Sequence, residues 1–171
     1  MKTFATLATS AVVLVIGALV GFQLLTASAD TTVDNTTCED RTVAKGEPVT
    51  SNLVQVNVFN ASERSGLANR VTINLQRKGF LGGKVANNES AVKTRAVTIL
   101  TTDKDDPRVR LVAQQFRDKV EYAEPDIALE DGVTVIVGDS YDTKNGIDDD
   151  AGTEVKSDRE LTVCILTAPL P

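Results

Sequence analysis

The chain has 171 residues and a formal net charge of -6, a balance opposed to the clustered basic surface that nucleic-acid binding requires, so we expect no nucleic-acid partner. Aromatic residues make up 4% of the chain and Trp is absent, which also argues against a platform of exposed rings that stacks on sugars or bases. The length suffices for one domain with a single core once an amino-terminal segment is set aside.

That amino-terminal segment, residues 1–29, is strongly apolar, with no charged residue between Lys2 and Asp30. Its length is close to the roughly 20 residues that a helix needs to cross a bilayer. We therefore predict one transmembrane helix that anchors the protein in the cell membrane as a single-pass protein, with the domain on the extracytoplasmic side. The alternative is a secretory signal cleaved after Ala29, because the preceding A-S-A run has the small residues of a cleavage site. Both interpretations export the domain.

Residues 30–52 are predicted to be a polar linker. The following stretch changes from the two-residue period of a strand to the period of an amphipathic helix. The alternating strand positions are Val54, Val56 and Val58, and the apolar helix positions are Leu67, Val71 and Leu75. We expect Ser65 to cap this helix.

The turn between this strand and helix supplies three candidate ligand-binding residues, which are Asn60, Ser62 and Arg64. The turn follows the carboxyl end of a strand, where α/β folds tend to bind ligands. A structural interpretation stays open for Asn60 and Ser62, whose side chains commonly bond turn amides. Two further arginines on the helix, at positions 70 and 77, are expected to face solvent.

Two strand-helix-strand units are predicted in tandem. Further strands are expected at 84–86, 96–101 and 133–137, with glycines at 79, 82 and 83 ending the first helix and turning the chain. A second helix begins at Asp106 and Pro107, and its apolar face extends through Phe116 to Val120. These elements predict an α/β fold, a small two-layer sandwich whose mixed sheet of four to five strands carries both helices on one face.

The segment 142–160 is an acidic loop that contains three consecutive aspartates at 148–150. It lacks the ordered spacing of a calcium loop, so we predict no metal and no cofactor. The chain contains no histidine. The usual base of serine and cysteine hydrolases is therefore missing, and we predict no catalytic residue.

The two cysteines are Cys38, in the linker, and Cys164, in the terminal strand and tail at 161–171. A bond between them would close a loop of roughly 125 residues and stabilise the domain by about 4 to 5 kcal/mol in the chain-entropy model. We predict this disulfide because export to an oxidising compartment permits it. In the alternative, Cys164 is a free cysteine that fills the core.

Two motifs carry a family resemblance. The run V-x-V-x-N-A-S-x-R-x-G-L-A starts at Val56, and the closing V-x-V-G-D-x-Y ends at Tyr141. In this order and spacing, residues 53–141 resemble the LytR C-terminal domain family. The whole arrangement, with one apolar segment, a solitary domain and two cysteines, also resembles envelope integrity proteins of actinobacteria.

The resemblance implies a noncatalytic module that supports the integrity or assembly of the bacterial cell envelope. Its expected partners are the membrane, through the amino-terminal helix, and a cell-wall polymer, a lipid-linked precursor or an envelope protein. Larger relatives join this domain to a catalytic domain whose arginine-rich pocket and metal-binding aspartates have no counterpart here. The alternative is a carboxylate-dependent enzyme that modifies the cell wall, for which Asp103, Asp105, Asp106 and Asp148 are the candidate acids.

Overall fold

The structure is a computed structural model that describes the backbone of residues 37–129 and 131–167 and the side chains of residues 40–129 and 131–163. The segment 1–29, predicted to be an anchor or a signal, lies outside the described residues. Within the described part, none of the helices combines the length and the apolar character that crossing a bilayer requires.

The described chain forms strands, two α-helices and a 3₁₀ turn at Ser51–Leu53. The strands are β1 (Thr37–Val43), β2 (Pro48–Thr50), β3 (Gln55–Asn60), β4 (Leu81–Asn87), β5 (Val97–Leu100), β6 (Val120–Ala123), β7 (Val133–Val137), β8 (Glu154–Lys156) and β9 (Leu161–Thr167). The helices are α1 (Leu67–Arg77) and α2 (Pro107–Ala113).

Five of these strands form a mixed sheet in the order β4-β3-β7-β5-β6. Strand β3 runs parallel to β4 and β7, and β5 runs parallel to β6 but antiparallel to β7. The mixed α/β fold with two helices and a five-stranded sheet agrees with the predicted class. The second unit differs in detail, because α2 leads to β6 and not directly to β7.

Both helices pack into one core cluster with alternate residues of the central strands, which places them on the same face of the sheet. The strand residues in this cluster include Val56, Val58, Val97, Ile99, Val133, Val135 and Val137. The helix residues are Leu67, Ala68, Val71, Leu75, Val109, Leu111 and Val112. Each valine, leucine or isoleucine side chain of this kind contributes about 1.5 to 3 kcal/mol when fully buried. A smaller cluster of Phe59, Leu100 and Ile136 lies on the opposite face.

The segments that precede β3 and follow β7 in the sequence pair with each other. Strand β1 pairs with β9, and β2 pairs antiparallel with β8. The segment 30–52, expected as a polar linker, therefore contains two strands, and the acidic loop 142–160 contains β8. Buried Val49 lies opposite Val155 in the β2-β8 register, so these short strands add to the core.

The start of α1 differs from the prediction. Its N-cap residue is Gly66, with a left-handed φ of 74°, and no side chain caps the helix. The expected cap at Ser65 is therefore wrong. Glycine occupies this conformation without the steric penalty of a Cβ atom, so the helix begins one residue later than a serine cap would place it.

The second helix is shorter than predicted. It ends at Ala113, while Phe116 reaches the core outside the helix and Val120 begins β6. The reason is tertiary, because the amide of Arg117 donates to the Gly146 carbonyl and Phe116 forms an isolated β-bridge with Ile147. These partners replace the hydrogen bonds that another helical turn would supply.

Two of the three glycines near the end of α1 also differ from expectation. Gly79, with a φ of 91°, follows the end of the helix as predicted. Gly82 and Gly83 lie within β4 and do not turn the chain. An added Cβ at Gly83 would collide with the Asn57 side chain on the neighbouring strand, so close strand packing explains the glycine there.

Candidate functional site

The turn after β3 is closed by its own polar side chains. The Asn60 Oδ1 atom accepts hydrogen bonds from the Ser62 amide at 3.0 Å and the Ser62 hydroxyl at 2.7 Å. The Asn60 Nδ2 atom donates to the Arg64 carbonyl at 2.9 Å, and the Arg64 amide donates to the Ser62 Oγ atom at 3.2 Å. These contacts confirm the structural interpretation of Asn60 and Ser62. Contact of this turn with a ligand stays a prediction.

Arg64 connects this turn to the loop after β7. Its Nη2 atom donates to the carbonyl of Gly138 at 3.2 Å and to that of Tyr141 at 2.9 Å. The amide of Glu63 also donates to the Asp139 carboxylate at 3.1 Å. The two motifs that carry the family resemblance therefore contact each other, which gives a physical reason for their occurring together.

Tyr141 fixes the far end of this connection. Its buried ring packs edge-on against Phe116, with ring centroids 6.3 Å apart. Burial is the main reason that the pKa of the phenol rises to about 12, and nearby Asp118 and Asp142 raise it further while Arg64 lowers it. The phenol is neutral at physiological pH and acts as a packing group.

A polar hollow of about 640 Å³ lies beside the same turn. Its lining includes Asn60, Ser62, Glu63, Asn87, Asn88 and Lys93. Amide, hydroxyl and charged groups of this kind form hydrogen bonds with sugar hydroxyls without any aromatic platform. Asn60 and Ser62 thus border this hollow, whereas Arg64 lies on the other side of the turn, next to Arg70 and Thr143.

Sequence reasoning missed a second concave surface, a groove of about 680 Å³ between α1 and the segment 143–149. We call this the α1 groove. Its basic lining residues are Arg70, Arg77, Lys78 and Lys144. The two arginines are seven residues apart, which places them on one face of the helix. This spacing is the sequence signal that could have indicated the groove. Lys144 reaches the groove only through tertiary packing, so no local pattern indicates it.

Lys78 forms the wall of this groove by binding the acidic loop. Its Nζ atom donates to the carbonyls of Asp148, Asp149 and Ala151 at 3.2, 2.8 and 3.0 Å. The Nε2 atom of buried Gln115 donates to the carbonyl of Gly152 at 2.8 Å, farther along the same loop. The backbone of the acidic loop is therefore held against the domain.

Among the carboxylates considered for catalysis, Asp103, Asp106 and Asp148 have arginine partners. Asp106 caps α2, accepting from the Arg108 amide at 2.8 Å, and pairs with the Arg108 guanidinium at 2.7 Å. Burial alone would raise the pKa of Asp106, but the hydrogen bonds from Arg108 outweigh it and hold that pKa below its usual value. A general acid needs the opposite shift. Asp148 pairs with Arg117 at 3.4 Å.

Among the side chains that the structure describes, those of residues 40–129 and 131–163, no group of three or more His, Cys, Asp or Glu could hold a metal ion. The cysteine-bearing strands β1 and β9 are neighbours in a two-stranded sheet. The side chains of Cys38 and Cys164 lie outside the described ones, so their disulfide stays a prediction.

The five-stranded sheet, its two helices and the linked turns after β3 and β7 all lie within one family match. The model for the LytR cell envelope-related transcriptional attenuator matches residues 53–141. Because this match spans more than half of the 171 residues, the chain belongs to that family, LytR_C. The resemblance inferred from the two motifs is thereby confirmed.

Among solved structures, the chain is similar to the soluble domain of a conserved hypothetical secreted protein from Mycobacterium marinum. The two are 20% identical, and the comparison covers 59% of this chain and 67% of the other, with a TM-score of 0.44. No curated protein matches the chain.

Proposed function

We propose that this protein is a noncatalytic extracytoplasmic module that supports the integrity or assembly of the bacterial cell envelope. The observation that carries the proposal is the match of residues 53–141 to a family described as cell envelope-related. The apolar segment 1–29 supports export, either as a membrane anchor or as a signal cleaved after Ala29. A disulfide between Cys38 and Cys164 would suit the same compartment.

The module would act by binding a wall polymer, a lipid-linked precursor or an envelope protein. The polar hollow beside the β3 turn supports this role, because its amides and hydroxyls offer hydrogen bonds to a glycan. The hydrogen bonds among Asn60, Ser62 and Arg64 hold the edge of that hollow in one conformation. Such preorganisation lowers the entropic cost of binding.

A rescue experiment in the native host tests the proposal. Deleting the gene is expected to increase envelope permeability, and the full chain is expected to restore the barrier. A Glu63→Ala/Lys93→Ala variant alters two exposed charges of the hollow and leaves the side-chain hydrogen bonds of the turn intact. We expect this variant to be present at normal abundance but not to restore the barrier.

The matched control is Lys119→Ala/Glu124→Ala, which removes one charge of each sign from exposed positions outside the hollow. It should rescue fully. Equal rescue by both variants would remove the hollow from the proposal, and an unchanged envelope after deletion would contradict the proposal itself.

The catalytic alternative has its own test. We expect wall glycans incubated with the full chain to give the same products as glycans incubated without protein. The variant Asp105→Asn/Asp106→Asn/Asp148→Asn should behave identically. Cleavage or transfer that occurs with the full chain and disappears in this variant would establish an enzyme and overturn the noncatalytic assignment.

A further inference from the structure

We propose that the α1 groove is a second binding site, which takes a linear polyanion such as a glycan chain bearing phosphate or carboxylate groups. Its volume of about 680 Å³ falls within the usual range for ligand clefts, about 300 to 1,000 Å³. The inference rests on the proposed function only in taking the cell wall as the source of the ligand.

The charge of the groove is opposite to that of the whole molecule. Four basic residues, Arg70, Arg77, Lys78 and Lys144, line it together with a single carboxylate, Asp149, in a protein whose net charge is -6. A local field of this kind concentrates anionic ligands and steers them to the cleft. An anionic ligand is therefore attracted to this groove although the protein as a whole is negatively charged.

The two arginines are free to meet a ligand. Both side chains are exposed, and within the described residues neither forms an ion pair with a carboxylate. The Arg77 guanidinium donates to Asn74 at a long 3.4 Å. Lys78, in contrast, is held by three carbonyl groups, so it fixes the wall of the groove while the arginines supply the available charge.

Helix geometry favours a repeating ligand over a single ion. Arg70 and Arg77 are two turns apart, so their backbone positions are separated by about 10 Å along the axis on one face. Successive charged groups of a chain can meet both residues. Ile73, which is 41% exposed, lies between them in the groove and offers apolar contact to the carbon skeleton of the chain.

The same geometry disfavours an anionic bilayer as the ligand. The basic residues line a concave groove, and the loop beside it exposes the carboxylates of Asp142, Asp149 and Asp150. A flat anionic membrane surface would lie against all three carboxylates and be repelled by them. A narrow chain in the groove meets Asp149 as the one carboxylate among the lining residues, against four basic residues.

Titration of the full chain with polyglycerol phosphate tests the inference, with neutral dextran as the uncharged comparison. We expect polyglycerol phosphate to bind, dextran not to bind, and the affinity to fall as salt rises. Arg70→Gln/Arg77→Gln should weaken binding at low salt by about tenfold or more and flatten the salt dependence, since two anion contacts are lost. The matched control is Arg95→Gln/Arg110→Gln, which removes two exposed arginines outside the groove and should bind like the parent.

Equal weakening in both double variants would show a general charge effect and overturn the site, as would the absence of binding to polyglycerol phosphate. Binding to phosphatidylglycerol vesicles but not to the soluble polymer would replace the polymer with a membrane surface. If the deletion leaves the envelope unchanged while the polymer still binds at the arginines, only the proposed function fails. If rescue succeeds and the polymer does not bind, only this inference fails.

Discussion

At the residue scale, Arg64 joins two turns that are far apart in sequence. Its guanidinium binds the carbonyls of Gly138 and Tyr141, which follow it by 74 and 77 positions. A half-buried charge-assisted interaction of this kind stabilises a fold by about 1.5 to 3 kcal/mol, and here one nitrogen atom serves both carbonyls. Arg64 therefore has a structural role that must be separated from any contact with a ligand.

We predict that Arg64→Met lowers the free energy of unfolding by about 1 to 3 kcal/mol, because two carbonyls lose their donor while the side-chain volume is largely kept. Urea unfolding of the full chain measures this. Exposed Arg70 provides the control, and Arg70→Met should stay within about 0.5 kcal/mol of the parent. A stable Arg64→Met variant that fails to rescue the envelope would instead show that Arg64 contacts the ligand.

Asp106 gives the stability a predictable pH dependence. Its pKa is lowered in the folded protein, so its charge stabilises the fold above the unfolded pKa of about 3.9, and this contribution is lost as pH falls through the folded pKa. Asp106→Asn keeps a good capping residue and removes the ion pair with Arg108. We expect it to cost about 0.5 to 1 kcal/mol at pH 7.

The measurement is the difference in unfolding free energy between the parent and Asp106→Asn at several pH values. That difference should shrink towards zero in strong acid, because the parent carboxylate is then neutral as well. A difference that stays constant with pH would mean that the carboxylate charge has no part in the stability.

At the element scale, the entry into β7 depends on Gly132. Its φ is +99°, and an added Cβ would collide with the backbone carbonyl of Gln55 on β3. The neighbouring strand therefore leaves no room for a side chain where the central strand begins. Gly46 has a similar φ of +89°, but no atom lies within 4 Å of its Cβ position.

Comparing alanine substitutions at Gly46 and Gly132 distinguishes the energetic cost of a strained backbone from the cost of a steric collision. Gly46→Ala should cost about 1 to 2 kcal/mol, the usual penalty for a left-handed residue. Gly132→Ala should cost a further 1 to 3 kcal/mol or so, since overpacking must move one of the strands. Equal unfolding free energies for the two variants would show that the strands adjust without cost.

At the scale of the whole molecule, the flanking segments form part of the fold. Pairing of β1 with β9 brings together the two strands that contain Cys38 and Cys164. We predict that the intact mass of the native protein increases by two hydrogens on reduction, and that reduction lowers the unfolding free energy by about 2 to 5 kcal/mol.

The stability of Cys38→Ser/Cys164→Ser should not respond to a reductant, which makes it the control. An unchanged parent mass on reduction would show that the cysteines are free. The alternative of a free Cys164 in the core would then stand.

Local signals in the sequence were sufficient for several elements. Valine-rich β7 lies at Val133–Val137, as expected, and Asp106 caps α2 before Pro107. Apolar periodicity and helix capping depend on residues a few positions apart, so they can be read from the chain alone. The run from Asn60 to Arg64 was likewise identified as a polar turn, although its partners were not.

Tertiary structure decided the remaining features. Strand β6 replaced the expected end of a helix because Val120 pairs with Val97, and β7 entered the sheet antiparallel to β5. The α1 groove exists because the chain returns to place Lys144 near Arg70. The apolar periods and turn signals of this sequence determined its local elements and the class of its fold. Only the tertiary structure decided which distant groups meet, because the residues around one partner of such a contact carry no information about the other partner.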